Sequence, residues 1–99
     1  MAKRLRILAV CGFGVGTSLI LRMNIENVLK KNGVNAEVTN SDITTASSVP
    51  TDMIFTSAEL YDQLLEKVNV PLVKINNFMN NSEIEEKGMP VIEELTKNK

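Results

Sequence analysis

Short apolar runs alternate with stretches of helical spacing along the chain. Leu5-Arg6-Ile7-Leu8-Ala9-Val10 is dense in aliphatic residues and stops at Cys11-Gly12, which predicts a strand buried on both faces of a parallel sheet. From about Thr17 the apolar positions Leu21, Ile25, Val28 and Leu29 fall on one helical stripe, with Arg22, Glu26 and Lys30 off it. Lys30 and Lys31 complement the negative C-terminal end of that helix, and Asn32-Gly33 supplies its stop.

Val34-Asn35-Ala36-Glu37-Val38-Thr39 alternates as a second strand, and Asn40-Ser41-Asp42 reads as a turn cluster able to cap a brief helix. The polar stretch Thr44-Thr45-Ala46-Ser47-Ser48-Val49-Pro50 predicts a loop or a single helical turn before a third strand, Asp52-Met53-Ile54-Phe55-Thr56. Ser57 is a candidate cap for the next helix, with Leu60, Leu64, Leu65 and Val68 expected inward, and Pro71-Leu72-Val73-Lys74-Ile75 reads as a fourth strand. After the polar loop Asn76-Asn77-Phe78-Met79-Asn80-Asn81, Ser82-x-x-Glu85 has the form of a capping box. Gly88-Met89-Pro90 is expected to break that segment and restart it as a terminal helix burying Val91, Ile92 and Leu95.

Strands alternating with helices imply right-handed crossovers and a parallel sheet, hence a three-layer, Rossmann-like α/β fold of four strands with expected order 2-1-3-4. In such sheets ligands gather at the carboxyl ends of the strands beside a topological switch point, and Cys11 ends the first strand. With 99 residues, 43% of them hydrophobic, residues 1–99 are expected to form one domain.

Charge and composition narrow the chemistry. A net charge of −1 lacks the basic footprint of a nucleic-acid or anionic-membrane binder, so no nucleic acid is expected as partner and any anion must be held locally. Apolar runs such as Leu19 to Leu21 fall far short of the roughly 20 residues of a membrane span, and Met1-Ala2-Lys3-Arg4 is not followed by the apolar core of a signal peptide. A cytoplasmic location without membrane insertion is therefore expected. One cysteine and no histidine leave neither an internal disulfide nor the usual zinc sites, and no metal or other cofactor is expected.

The remaining thiol stands ahead of a glycine-rich loop, Cys11-Gly12-Phe13-Gly14-Val15-Gly16-Thr17-Ser18. Gly12, Gly14 and Gly16 permit positive φ and close backbone approach, so successive N–H groups can form an anion nest reinforced by the helix that follows. Thr17 and Ser18 can cap that helix or donate to a bound phosphoryl oxygen. A thiol at a helix N-terminus has its pKa lowered from about 8.5 to roughly 3.5–7.5, which makes a nucleophile at neutral pH. Taken alone, a cysteine at a strand end serves equally well as an inert small hydrophobe. It is the joining of nucleophile and nest that favours phosphoryl chemistry. A dinucleotide fingerprint would need glycine at Thr17, a Walker loop would need Gly-Lys, and a cysteine phosphatase would need arginine at Thr17, whereas the nearest arginine is Arg22.

Ile7-Leu8-Ala9-Val10-Cys11-Gly12-Phe13-Gly14-Val15-Gly16-Thr17-Ser18 resembles the active loop of IIB proteins of the bacterial sugar phosphotransferase system, most nearly the ascorbate type and next the galactitol type. The resemblance is sharpest over roughly the first forty residues and continues as an order of elements thereafter. It implies that Cys11 accepts a phosphoryl group from a phosphohistidine on a IIA partner and passes it to a sugar bound by a membrane IIC component. Gly12, Phe13, Gly14, Val15, Gly16, Thr17 and Ser18 become the phosphate cradle. The activity implied is that of a protein-phosphohistidine:sugar phosphotransferase component.

Around this centre, Thr56 and Ser57 lie beside the loop in the expected sheet order, where capping of the next helix is favoured over phosphate contact. Asp42, Thr44, Thr45, Ser47 and Ser48 read better as a solvated loop, and Arg22 as an exposed helix residue. Phe13, Leu19 and Ile20 suggest a partner surface. The competing classes are a low-molecular-weight-type cysteine phosphatase, and a non-catalytic α/β module that senses an anion.

Overall fold

Residues 5–10, 15–77 and 79–97 are described by the computed structural model, residues 15–18 by their backbone alone. The elements are β1 (Leu5–Val10), α1 (Val15–Lys31), β2 (Ala36–Ser41), α2 (Ile43–Ala46), β3 (Met53–Ser57), α3 (Ala58–Leu65), β4 (Leu72–Ile75) and α4 (Asn81–Lys97). All pairings are parallel and the sheet order is β2-β1-β3-β4, as the alternation of elements predicts.

Two apolar clusters divide the sheet into faces. Ile7, Ala9, Met53, Phe55, Val73 and Ile75 pack with Leu21 and Ile25 of α1 and Ile84 and Ile92 of α4. Leu8, Val10 and Ile54 pack on the other side with Ala46, Leu60 and Leu64. The alternation of side chains along each strand makes this division, and helices on both faces give three layers. β1 and β3, central and covered twice, are accordingly the aliphatic runs in the sequence.

β2 begins two residues later than its alternation predicts and runs on through Asn40 and Ser41. Val34 is used elsewhere: its N–H donates to Leu29 O at 2.9 Å, while Gly33, with φ of 69°, donates to Lys30 O at 3.2 Å. That pair of bonds is a Schellman stop for α1, and the positive φ is why glycine stands there. Asn40 and Ser41 stay extended because they pair with Ala9 and Val10 of β1. β3 likewise starts and ends one residue later than expected, because Asp52 lies outside the ladder and its side chain accepts from Arg6 N.

α1 starts at Val15, ahead of the expected Thr17. In α3, Leu60 and Leu64 are buried, but Leu65 faces solvent at 52% exposure, a correction to its expected inward place. One residue on from Leu64 is about 100° around the helix, off the buried stripe.

The last segment is one continuous helix, so the expected break at Gly88-Met89-Pro90 does not occur. Proline inside a helix costs about 3 kcal/mol through a lost hydrogen bond and a steric clash. Ile84, Gly88 and Ile92 recur every fourth residue and are all buried, so packing on both sides of Pro90 keeps a single axis. Gly88 makes the close approach possible, since a Cβ there would lie 2.7 Å from Phe55 Cε2 and closer still to Cζ. Ser82 does not form the expected capping box. Asn80 Oδ1 accepts from Glu83 N at 3.2 Å, and Glu85 instead accepts from Asn32 Nδ2 of the α1 stop at 2.9 Å.

Candidate active site

Parallel pairing brings the carboxyl ends of all the strands to one edge of the sheet, and β1 lies inside it with β2 and β3 as neighbours. The connections from β1 and β3 therefore leave side by side, since Val10 pairs with Ser41 on one flank and Thr56 on the other. β1 feeds α1 on one face of the sheet and β3 feeds α3 on the other. This divergence makes the crevice in which ligands of open α/β sheets bind.

Cys11, Gly12, Phe13 and Gly14 lie outside the described residues. They join Val10, at the carboxyl end of β1, to Val15, the first residue of α1. Val15, Gly16, Thr17 and Ser18 form the first helical turn. In an α-helix the N–H groups of that turn have no intrahelical acceptor, and they carry the positive end of the dipole. No acidic residue in the turn neutralises it. The backbone at the start of α1 is thus an anion-directed group of donors, the usual property of a phosphate-binding helix start.

Thr56 fixes the floor of this edge. It is fully buried, and its Oγ1 donates to Val10 O at 3.1 Å, tying the end of β3 to the last residue of β1. Ser57 occupies the N-cap position of α3, but its side chain makes no cap hydrogen bond. Neither residue plays the capping part favoured by sequence: Thr56 serves the neighbouring strand, a pairing legible only once the register is known.

The β2 flank is polar. Arg22 reaches from α1 to Asn40 Oδ1 at 3.3 Å and lies 3.8 Å from Glu26, so it bridges helix and strand instead of extending into solvent as expected. Asp42 caps α2, accepting from Thr45 N at 3.0 Å and from the hydroxyls of Thr44 and Thr45 at 2.8 Å each. The hydrogen bond from the Thr45 side chain, then that from Thr44, holds the Asp42 carboxyl below its ordinary value. The brief helix anticipated from Asn40-Ser41-Asp42 is present, so its threonines are partly committed to a cap and not simply solvated.

Sequence reading missed Glu83 on the β4 side. Its carboxylate accepts from Asn76 N at 2.7 Å and Asn77 N at 2.9 Å, and Lys87 Nζ lies 2.7 Å away. The connection after β4 is thereby clasped to α4. Burial pushes the Glu83 carboxyl up, but the bonds from Lys87, Asn76 and Asn77 outweigh it and the net shift is downward. The signal was available in Asn80-x-x-Glu83, a second capping pattern overlapping Ser82-x-x-Glu85.

Among the described residues no group of His, Cys, Asp and Glu is placed to hold a metal ion, and no helix is long and apolar enough to cross a membrane. Leu19 and Ile20, just past the first turn of α1, are exposed at 44% and 43%, with Met23 at 54% one turn on. The apolar surface expected near the loop therefore exists on this helix.

Comparison with known proteins agrees with the fold. An ascorbate-specific phosphotransferase EIIB component from Mycoplasma pneumoniae is 29% identical over 86 residues, covering 85% of this chain and 90% of the relative. The cellobiose-specific phosphotransferase IIB component of Borrelia burgdorferi superposes with a TM-score of 0.63 at 26% identity, over 98% of this chain and 95% of that one. The lactose-specific IIB domain of Streptococcus pneumoniae shares the fold, with a TM-score of 0.64 at 16% identity over 96% and 97% of the two chains. Residues 6–88 match the family described as the lactose/cellobiose-specific IIB subunit of the phosphotransferase system, and the chain belongs to that family of sugar phosphotransferase IIB components.

Proposed function

We propose that Cys11 is the phosphoryl acceptor of a IIB phosphocarrier, with residues 1–99 forming one IIB domain. The thiolate attacks phosphorus of a phosphohistidine on a IIA protein, the S–P bond forms as the P–N bond breaks, and the bonding pair leaves on the imidazole. In the second half a hydroxyl of the sugar held by the membrane IIC component attacks the same phosphorus, an O–P bond forms as the S–P bond breaks, the hydroxyl proton passes to water, and the Cys11 thiolate is regenerated. Gly12, Phe13, Gly14, Val15, Gly16, Thr17 and Ser18 cradle the phosphoryl oxygens, chiefly through backbone N–H groups. Phosphoryl transfer needs positioning and charge stabilisation above all, and a phosphohistidine donor requires neither nucleotide nor metal.

One observation carries this reading: the acid-free first turn of α1 stands at the carboxyl edge of β1, with Cys11 in the short connection between them. The exposed Leu19, Ile20 and Met23 beside that turn offer apolar surface to two successive partners. The setting is cytoplasmic, where a IIA donor and the inner face of a IIC permease meet. An ascorbate-type sugar is favoured by the Mycoplasma relative, which is named for ascorbate. The phosphatase alternative requires a protonated general acid near the loop, whereas Asp42, the carboxyl group following β2, is held below its ordinary value by Thr45 and Thr44.

The test is direct. Incubation with phosphoenolpyruvate, the general phosphotransferase enzymes and the cognate IIA is expected to add one phosphoryl mass to the protein and none to Cys11→Ser. An unmodified wild-type chain, or an adduct that survives in Cys11→Ser, would refute the assignment.

A further inference from the structure

Ser57 has the position of a helix cap without the bond. Its backbone is extended, with φ of −75° and ψ of 159°, as an N-cap requires, yet its side chain accepts nothing from α3. Its Oγ is buried and has no hydrogen-bond partner among the described residues. Buried hydroxyls are almost always paired, so an orphan at a ligand-binding edge points to a partner that arrives with the ligand.

The register places this hydroxyl in the fold. Thr56 pairs with Val10, and Ser57 follows Thr56 as Cys11 follows Val10. Phe55 packs on the sheet face covered by α1 and α4, and strand alternation places Ser57 on that same face. The orphan hydroxyl therefore belongs to the edge, and the side of the sheet, from which α1 starts.

Resting on the reading of Cys11 as phosphoryl acceptor, we propose that Ser57 Oγ donates a hydrogen bond to a phosphoryl oxygen during transfer and in the phosphocysteine. It adds a side-chain donor from β3 to the backbone donors of the loop. Loss of one hydrogen bond to a charged group at a reacting centre corresponds to a rate loss of about 10- to 100-fold.

The experiment compares wild type, Ser57→Ala and Ser57→Thr in a quenched time course with phosphoenolpyruvate, the general enzymes and phosphorylated IIA, reading the Cys11 adduct by intact mass. Ser57→Ala is expected to form the adduct about 10- to 100-fold more slowly, and Ser57→Thr, which keeps the hydroxyl, within about 3-fold of wild type. The thermal midpoint of unphosphorylated Ser57→Ala should not fall, since no hydrogen bond of its side chain is seen among the described residues. Adduct formation by Ser57→Ala at the wild-type rate overturns the role of Ser57 alone. A Ser57→Ala protein that slows only as far as it unfolds also overturns it. A wild-type chain that forms no adduct at all removes the underlying reading of Cys11.

Discussion

Replacing Gly88 by alanine should destabilise the protein although it places a better helix former in a helix. On an exposed face the exchange would favour folding by about 1 kcal/mol. Here the new methyl carbon would stand 2.7 Å from Phe55 Cε2 and nearer to Cζ, well inside van der Waals contact. Phe55 is fully buried in β3, an interior strand of the sheet, so the ring has no vacant space to enter and α4 must lift instead. Overpacking of this kind costs about 1–3 kcal/mol, and contact with a ring rather than a flexible chain end argues for the upper part of that range. The net loss is then about 2 kcal/mol, a fall in thermal midpoint of roughly 10 °C for a chain of this size. Urea unfolding of wild type, Gly88→Ala, Phe55→Leu and the double variant measures it. Leucine lacks the ring atoms that meet the methyl group, so the double variant should be more stable than the sum of the single effects by about 1 kcal/mol or more. A Gly88→Ala protein as stable as wild type, or single effects that merely add, would refute the packing argument.

Thr56→Val should cost about 1–2 kcal/mol by removing the buried hydroxyl that Val10 O accepts from, and should slow phosphoryl acceptance because the end of β1 keeps only its ladder pairing to β3; unchanged denaturation and rate would contradict this. Glu83→Gln should lower stability at neutral pH by about 1–2 kcal/mol in chemical denaturation, because its charged hydrogen bonds to Asn76, Asn77 and Lys87 become neutral or are lost. Since the folded state lowers the Glu83 pKa from 4.5, the unfolded chain binds its proton first; the Glu83 contribution is complete above about that pH and is lost as pH falls through the lower folded value. Glu83→Gln should therefore narrow its deficit as the pH is lowered, and a deficit constant from neutral pH to pH 3 would count against the assignment.

The central layer was legible because β1 and β3 carry mostly buried apolar runs, β4 places Val73 and Ile75 inward, and α1 carries a single clean stripe with its Asn32-Gly33 stop. What escaped the sequence was decided by partners far along the chain. Asn40 and Ser41 look like turn residues and become strand because β1 supplies the ladder. Pro90 looks like a helix breaker and is overruled by Ile84, Gly88 and Ile92 packing in step against the sheet. The reading of the loop that begins at Cys11 rests on composition, since a cysteine followed by alternating glycines is a local signature. Its surroundings were not. Thr56 and Ser57 are adjacent and both hydroxylic, just ahead of α3, and only the register separates a residue that ties two strands from one whose hydroxyl has no partner among the described residues.

The bond from Thr56 to Val10 has a consequence for how such a chain meets its partners. A relay of the kind proposed for this chain is visited in turn by a donor and by an acceptor of different shape. With β1 and β3 tied at their carboxyl ends, and those strands held in turn by β2 and β4, the base of the crevice moves only if the whole sheet moves. On the proposed relay reading, donor and acceptor would therefore meet one and the same platform, the tied carboxyl ends of β1 and β3.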